Sequence, residues 1–438
     1  MKKQTKIAAA LSAAAFMMMV SGLPVYAASY GWVTEGDAKV YYDEDGYLTT
    51  DAWRKRGEDW FYLGEDGQIV KSKKIDEYYV DDEGKMVTNA WVELKNEEDP
   101  DSPETPDTFW YYFEKDGKSA VSKWVKFDSK WYYFDESGHM ATGKTEIDGA
   151  TYYLGTEKDG FMRTGWIRLE ENSHAPGASE SWYYFNSDGK MVTTQYDKKI
   201  DGSYYTFIDG KMQTGWVLMQ SDVTDSNAAS PKITDYQYYG AAGDGKRAEG
   251  FRSIEGISGI HAADEVYTFY FKAGKPYVSD KKGNSLFTIN AKKYAFSDLG
   301  IMQTGRQIAN VANDEIANFY FGEDGIVKTG KQAIYNEETG ETENWFFHTD
   351  GDKKGQGYHG LRDGILYVYG KRQDATADQR YAPADLNGVT YLVGTTGNVQ
   401  KASASSTSSA KPELGRGYKD IKDANGKIWT VDTAGIVQ

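Results

Sequence analysis

The side chains of this sequence that could do chemistry are rings. Trp124-Val125 is followed by Trp131-Tyr132-Tyr133-Phe134, by the acidic turn Asp135-Glu136-Ser137-Gly138 and by Met140-Ala141-Thr142-Gly143, and this phrase recurs along the chain. A ring face carries negative potential and a broad apolar surface, so a face left open to solvent attracts a cation or stacks on a sugar. The groups that other chemistries need are missing or scattered. The chain has no Cys, and its five His (His139, His174, His261, His348 and His359) show no metal-ligand spacing. No Gly-x-Ser-x-Gly elbow is present. Asp43-Glu44-Asp45-Gly46 alternates acids, but its Gly stands fourth rather than sixth and no Glu follows at the twelfth position, so it reads as a turn and not as a calcium loop. The remaining acids also concentrate in turns, where solvent leaves them without the perturbed setting that glycoside cleavage requires, and the chain is expected to be non-enzymatic.

Positioning these rings falls to short strands. In an extended run Trp131 and Tyr133 lie on one face and Tyr132 and Phe134 on the other, so a single unit exposes aromatic surface on both sides and buries it only by stacking on further copies. Turn glycines recur at about 21 residues, as in Gly46 and Gly67, Gly117 and Gly138, and Gly189 and Gly210. That period is too short for helical-pair repeats. A second aromatic heads a separate strand in Gly31-Trp32, Ala52-Trp53, Ala90-Trp91, Lys123-Trp124, Gly165-Trp166 and Gly215-Trp216, and the short gap from Trp53 to Trp60 suits a hairpin. Insertions from Lys95 to Thr108, Glu170 to Ser181 and Ser221 to Asp235 all fall between the leading Trp and the next aromatic run, as loops on one side of a stack do. From about residue 240 the leading position is no longer Trp: Phe251, Arg306, Lys331 and Tyr358 replace it.

Composition agrees with a stack of rings. The 438 residues are 15% aromatic, with 34 Tyr and 12 Trp, so the core is built from amphipathic rings. A net charge of -16 repels polyanions and argues against nucleic acid as a partner. Without Cys, stability must come from packing alone. Met1 to Lys6 is basic, Ile7 to Val20 is apolar and Val25-Tyr26-Ala27 offers a small residue for cleavage, which matches a secretory signal cut after Ala27; Ser21-Gly22 and Pro24 interrupt the run short of a membrane span. No later stretch is apolar enough to cross a membrane, and the C-terminus carries no hydrophobic tail, so retention at a surface is expected to be non-covalent. The expected organisation is a signal segment at 1–27, aromatic-rich repeats at 28–220, degenerate repeats at 221–400, a Ser- and Ala-rich flexible linker at 401–412 and a terminal repeat at 413–438.

The phrase Gly-Trp, a short gap, Trp-Tyr-Tyr-Phe, then Asp-Gly-Lys-Met-x-Thr-Gly-Trp, fullest from Trp182 to Gln195 and from Tyr204 to Trp216, resembles the cell-wall-binding repeats of Gram-positive bacteria. These are the choline-binding repeats, with relatives in glucan-binding proteins and in the repeats of large clostridial toxins. The resemblance implies an all-β fold, a β-solenoid of stacked β-hairpins, and in the choline-binding members a ligand held between repeats by two Trp and one Tyr, often with a Met nearby. Carried onto this chain, the Trp pairs are Trp53 with Trp60, Trp91 with Trp110, Trp124 with Trp131, and Trp166 with Trp182. A Tyr of the next copy, such as Tyr133 or Tyr153, would complete each cage. The implied partner is choline or a glycan of a cell-wall polymer, and no cofactor or metal is implied. A quaternary ammonium has no hydrogen to donate, so ring faces hold it at about 0.5 to 2 kcal/mol per contact, and many sites on one chain supply avidity. A rival expectation is a glucan- or host-glycan-binding adhesin, or a structural rod of the same repeats.

Overall fold

The computed structural model describes residues 30–96, 106–170, 180–219, 230–262 and 264–438. The expected signal segment lies outside the described residues, as does most of each expected insertion. Among the described residues there is no α-helix, and strands alternate with tight turns throughout. The chain divides into two compact units, one of Met1–Ile167 with Tyr184–Met191 and the other of Arg168–Tyr183 with Val192–Gln438.

In the first unit the strands are β1 (Gly31–Glu35), β2 (Ala38–Tyr42), β3 (Ala52–Arg56), β4 (Asp59–Leu63), β5 (Lys73–Ile75), β6 (Tyr78–Val80), β7 (Ala90–Lys95), β8 (Thr108–Phe113), β9 (Lys123–Phe127), β10 (Lys130–Phe134), β11 (Lys144–Ile147) and β12 (Ala150–Tyr153). Each odd strand turns back into the next even one as an antiparallel, two-stranded hairpin. At the β9–β10 tip Asp128 and Ser129 both take positive φ, 46° and 64°, the conformation a two-residue turn needs to match strand twist.

Both hairpin faces are aromatic, and both are used. On one side of β9–β10 Trp124 faces Tyr133 and Lys126 faces Trp131, while Val125 faces Tyr132 on the other. The second side packs back on the preceding hairpin: Tyr132 and Phe134 lie 4.9 and 5.4 Å from Trp91. The first side packs forward, with Trp124 5.0 Å from Tyr152. Leu63, Val80, Phe113, Phe134 and Leu154 are fully buried between successive hairpins. Each such side chain contributes about 1.5–3 kcal/mol, which a lone hairpin cannot obtain.

A backbone rung fixes the step from one copy to the next. The amide of Met86 donates to the Trp60 carbonyl at 2.8 Å, Met140 to Trp110 at 2.8 Å and Met162 to Trp131 at 2.8 Å. The Met side chains then lie under the turn glycine of the following copy. A Cβ on Gly160 would stand 2.2 Å from Met140 Sδ, and one on Gly189 2.2 Å from Met162 Sδ. These glycines also take positive φ, so the position excludes a side chain twice over. The turn acids serve the backbone. Asp135 Oδ1 accepts from the amides of Ser137 and His139, and Asp43 Oδ1 from those of Asp45 and Tyr47.

The second unit uses the same hairpins and widens some of them. Gly330–Asn336, Glu341–Phe347, Lys371–Arg372, Ile365–Val368 and Gly360–Arg362 form a five-stranded sheet in that order. Phe347 is fully buried in it with Ile334 and Trp345, while Phe269 and Phe271 are fully buried in a separate cluster with Ile233 and Ile257, and Phe296 and Phe319 in two others. Residues 401–412, where composition points to a flexible linker, fold against the hairpin Lys419–Lys422 and Ile428–Val431. Asp420 accepts from the hydroxyls of Ser408 and Thr430 and from the amides of Ser409 and Ala410, and Ser408 is buried. The segment is held at its other end too, where the buried Ala402 donates its amide to the Asp432 carbonyl at 2.9 Å.

Candidate functional site

The leading Trp of each hairpin sits directly across from the Tyr that precedes the last residue of the return strand: Trp53 across from Tyr62, Trp91 from Tyr112, Trp124 from Tyr133. Each also meets a ring of the next hairpin. Trp53 lies 5.3 Å from Tyr62 and 5.3 Å from Tyr78, and Trp124 lies 5.3 Å from Tyr133 and 5.0 Å from Tyr152, all edge to face. Trp91 is held by Tyr112, Tyr132 and Phe134. The leading indoles are therefore half-buried walls of the stack.

The Trp that opens the aromatic run is placed differently. Trp60 and Trp131 stand on the same face as the leading Trp but nearer the hairpin tip, across from Lys55 and Lys126, and they are 40% and 41% exposed. An indole so exposed in a register where its neighbours are packed is a ring face available to a ligand. Lys126 Nζ already stands 5.7 Å from the Trp131 ring centroid, so the face attracts a cation. Trp110 meets Trp91 at 6.4 Å and opens on a cleft of ≈ 650 Å³ that also includes Phe109, Met140 and the carboxylates of Glu93, Asp135 and Glu157. Phe109 there stacks flat on His139 at 3.7 Å. Rings with a surplus of carboxylates draw cations and exclude anions.

The expected cages are thus assembled in part. Trp53 and Trp60, and Trp124 and Trp131, share a face, with the first of each pair packed and the second open. Tyr133 lies in its own hairpin across from Trp124. Tyr153 does not complete the Trp124 cage: the alternation of the strand sends Tyr153 across from Lys144 and onto Phe185 at 6.2 Å, and brings Tyr152 to Trp124 instead. Trp166 meets Tyr184 at 5.1 Å, and Trp182 lies on the same strand as Tyr184, Glu180–Phe185. The rings that the pairing of Trp with Trp overlooks are Tyr62, Tyr78, Tyr112, Tyr132 and Tyr152. Counting back from the buried last residue of each return strand would have found the cross-strand ones. The Met residues pack under the turn glycines and still border the clefts, as Met140 does beside Trp110.

Comparison with known proteins places these repeats. A choline-binding repeat model matches residues 121–166, the span of Trp124, Trp131 and Trp166, and a putative cell wall binding repeat model matches 178–191. A flagellin protein model matches residues 3–91, whose described part from residue 30 on consists of the same hairpins as the rest. Glucosyltransferase-I of Streptococcus downei is 25% identical over 411 residues, covering 84% of this chain and 24% of its own length. Glucosyltransferase-S of Streptococcus mutans serotype c is 29% identical over 193 residues, 40% of this chain and 10% of its own length. The chain therefore spans a quarter or less of these relatives. The crystal structure of choline binding protein F from Streptococcus pneumoniae in the presence of a peptidoglycan analogue aligns with a TM-score of 0.40 and 21% identity, over 72% of this chain and 98% of that one. Over residues 121–166 and 178–191 the sequence thus matches repeats of the choline-binding, cell-wall-binding family, and the described hairpins on either side repeat the same leading aromatic and aromatic run.

Proposed function

We propose that this is a non-catalytic, secreted protein that attaches non-covalently to the Gram-positive wall, holding the choline of teichoic acid, or another wall glycopolymer, in the ring-lined clefts between hairpins. The observation that carries the reading is the division of labour within each Trp pair: Trp53 and Trp124 are packed, while Trp60 and Trp131 present an open indole from the same face. The choline-binding repeat match falls on the copy that contains Trp124 and Trp131. At about 0.5 to 2 kcal/mol per ring, a single cleft is weak, and a polymer bearing many cations is the ligand that makes repetition useful. Attachment to choline-bearing wall followed by elution with free choline is the test. Binding that ignores choline refutes the choline reading.

The second reading is a glucan- or host-glycan-binding adhesin. It is favoured by the 411-residue alignment with a glucosyltransferase that extends far beyond the matched span, which fits a carbohydrate-binding region of such an enzyme. Open indoles stack on sugars as readily as on ammonium groups. Retention on insoluble glucan that choline does not displace identifies this case.

A further inference from the structure

The rung and ring register defines four places around every inter-hairpin cleft: the leading residue, the residue that opens the aromatic run, the ring of the next hairpin, and the next hairpin's Met. At the cleft of Trp131 these are Trp124, Trp131, Tyr152 and Met162. The hairpin Gln195–Ile200 and Ser203–Ile208, in the second unit, fills the same places with other chemistry. Its Tyr204 carbonyl accepts the amide of Arg247 at 2.8 Å, just as Trp131 accepts that of Met162, so Tyr204 stands in for Trp131 and Arg247 for Met162. Arg247 also lies under the following turn glycine as the Met residues do: a Cβ on Gly274 would be 2.7 Å from its Cγ. At the leading place a register shift between Gln195 and Lys198 brings Asp197 beside Thr206, whose Oγ1 accepts the Asp197 amide at 3.1 Å.

Arg247 sends its guanidinium over the Tyr204 ring, 4.1 Å from the centroid, and pairs through one terminal nitrogen with Asp197 Oδ1 at 3.0 Å. Its side chain is 15% exposed, and Nε is buried without a hydrogen-bond partner. A guanidinium accepts such a loss of solvation where a ring face and a carboxylate together make a cation site. A cleft of ≈ 370 Å³ adjoins it, lined by Tyr204, Tyr238, Ser203 and Arg252 among others.

We propose that this cleft is a cation site whose ligand is the chain's own Arg247, which closes it to an external ammonium ion. The proposal rests on the reading of the clefts as ammonium sites, and it takes this one out of the number that can be filled. The test counts choline molecules bound per full-length chain by calorimetry, in the native protein and in Arg247→Met, Arg247→Lys and Tyr204→Ala. Arg247→Met takes the guanidinium away from the Tyr204 ring and from Asp197, which keeps the Tyr239 hydroxyl as a donor, and is expected to bind one choline more than the native chain, whatever number the native chain binds, none included. Arg247→Lys keeps a tethered cation and is expected to add none. Tyr204→Ala in the native background is expected to leave the count unchanged, because Arg247 already occupies that ring. An unchanged count in a folded Arg247→Met protein overturns the proposal, and so does a count lowered by one in Tyr204→Ala, which also decides the matter should Arg247→Met fail to fold. A native chain that binds no choline while Arg247→Met gains a site refutes the proposed function alone.

Discussion

Separating Trp124 from Trp131 tests how the chain divides its rings between fold and ligand. Trp124 is half-buried and meets Tyr133 and Tyr152 edge to face at 5.3 and 5.0 Å. Each such pair is worth about 0.5–1.5 kcal/mol beyond burial. A fully buried Trp→Ala change costs about 3–5 kcal/mol, so Trp124→Ala, at an intermediate depth, is expected to cost about 2–4 kcal/mol. Trp131 is 41% exposed and faces Lys126 across the strand pair. Its loss is expected to cost under about 1 kcal/mol of stability. In binding, removing one ring face takes away about 0.5 to 2 kcal/mol, a weakening of roughly 2- to 30-fold at that cleft. Urea unfolding followed by far-ultraviolet circular dichroism reads the first quantity, and calorimetric titration with choline the second. The predicted pattern is a midpoint lowered by roughly 0.5 to 1 M in Trp124→Ala, and in Trp131→Ala a nearly native midpoint with weakened binding. Equal destabilisation by both, or full binding retained in Trp131→Ala, would refute the assignment of packed and open indoles.

Other perturbations probe the parts that hold the clefts in place. Gly160→Ala places a methyl 2.2 Å from Met140 Sδ on a residue of positive φ and is expected to destabilise the first unit by about 2–4 kcal/mol; adding Met140→Ala should return part of that loss, which a double-mutant cycle measures. Glu343 is desolvated, which alone would raise its pKa, but Lys371, Asn336 and the Trp345 indole N–H all donate to it and hold it down at about 2. Its folded value lies below its ordinary 4.5, so its contribution is present above that pH and lost as pH falls toward 2; an acid titration of stability should show this limb in the native chain and lack it in Glu343→Gln. Asp420→Ala removes the acceptor that Ser408, Ser409, Ala410 and Thr430 share, and is expected to make residues 401–412 the first site of limited proteolysis.

Much of the fold was legible because its determinants are local. The alternation of Trp131, Tyr132, Tyr133 and Phe134, together with an acid-and-Gly turn, dictates a hairpin with two apolar faces, and the structure stacks such hairpins. Less legible was which rings meet. The choice of Tyr152 over Tyr153 for Trp124 depends on strand register, and a shift of one residue exchanges the two faces. The role of the Met residues was hidden for a related reason: each packs under a glycine of the next copy, a contact with no sequence pattern beyond the repeat itself. Residues 401–412 look like a linker by composition because what orders them lies outside the segment, in the Asp420 carboxylate and in backbone bonds to Asp432, Gly417 and Tyr418.

The most direct measurement follows the indole N–H resonances of the assigned protein as choline is added. If the open rings are the ligand's seats, those of Trp60 and Trp131 shift together and saturably, while that of Trp32, tied to the Lys55 carbonyl at 2.9 Å, stays in place. Resonances of Trp60 and Trp131 that remain fixed while the chain stays bound to wall polymer would contradict the account.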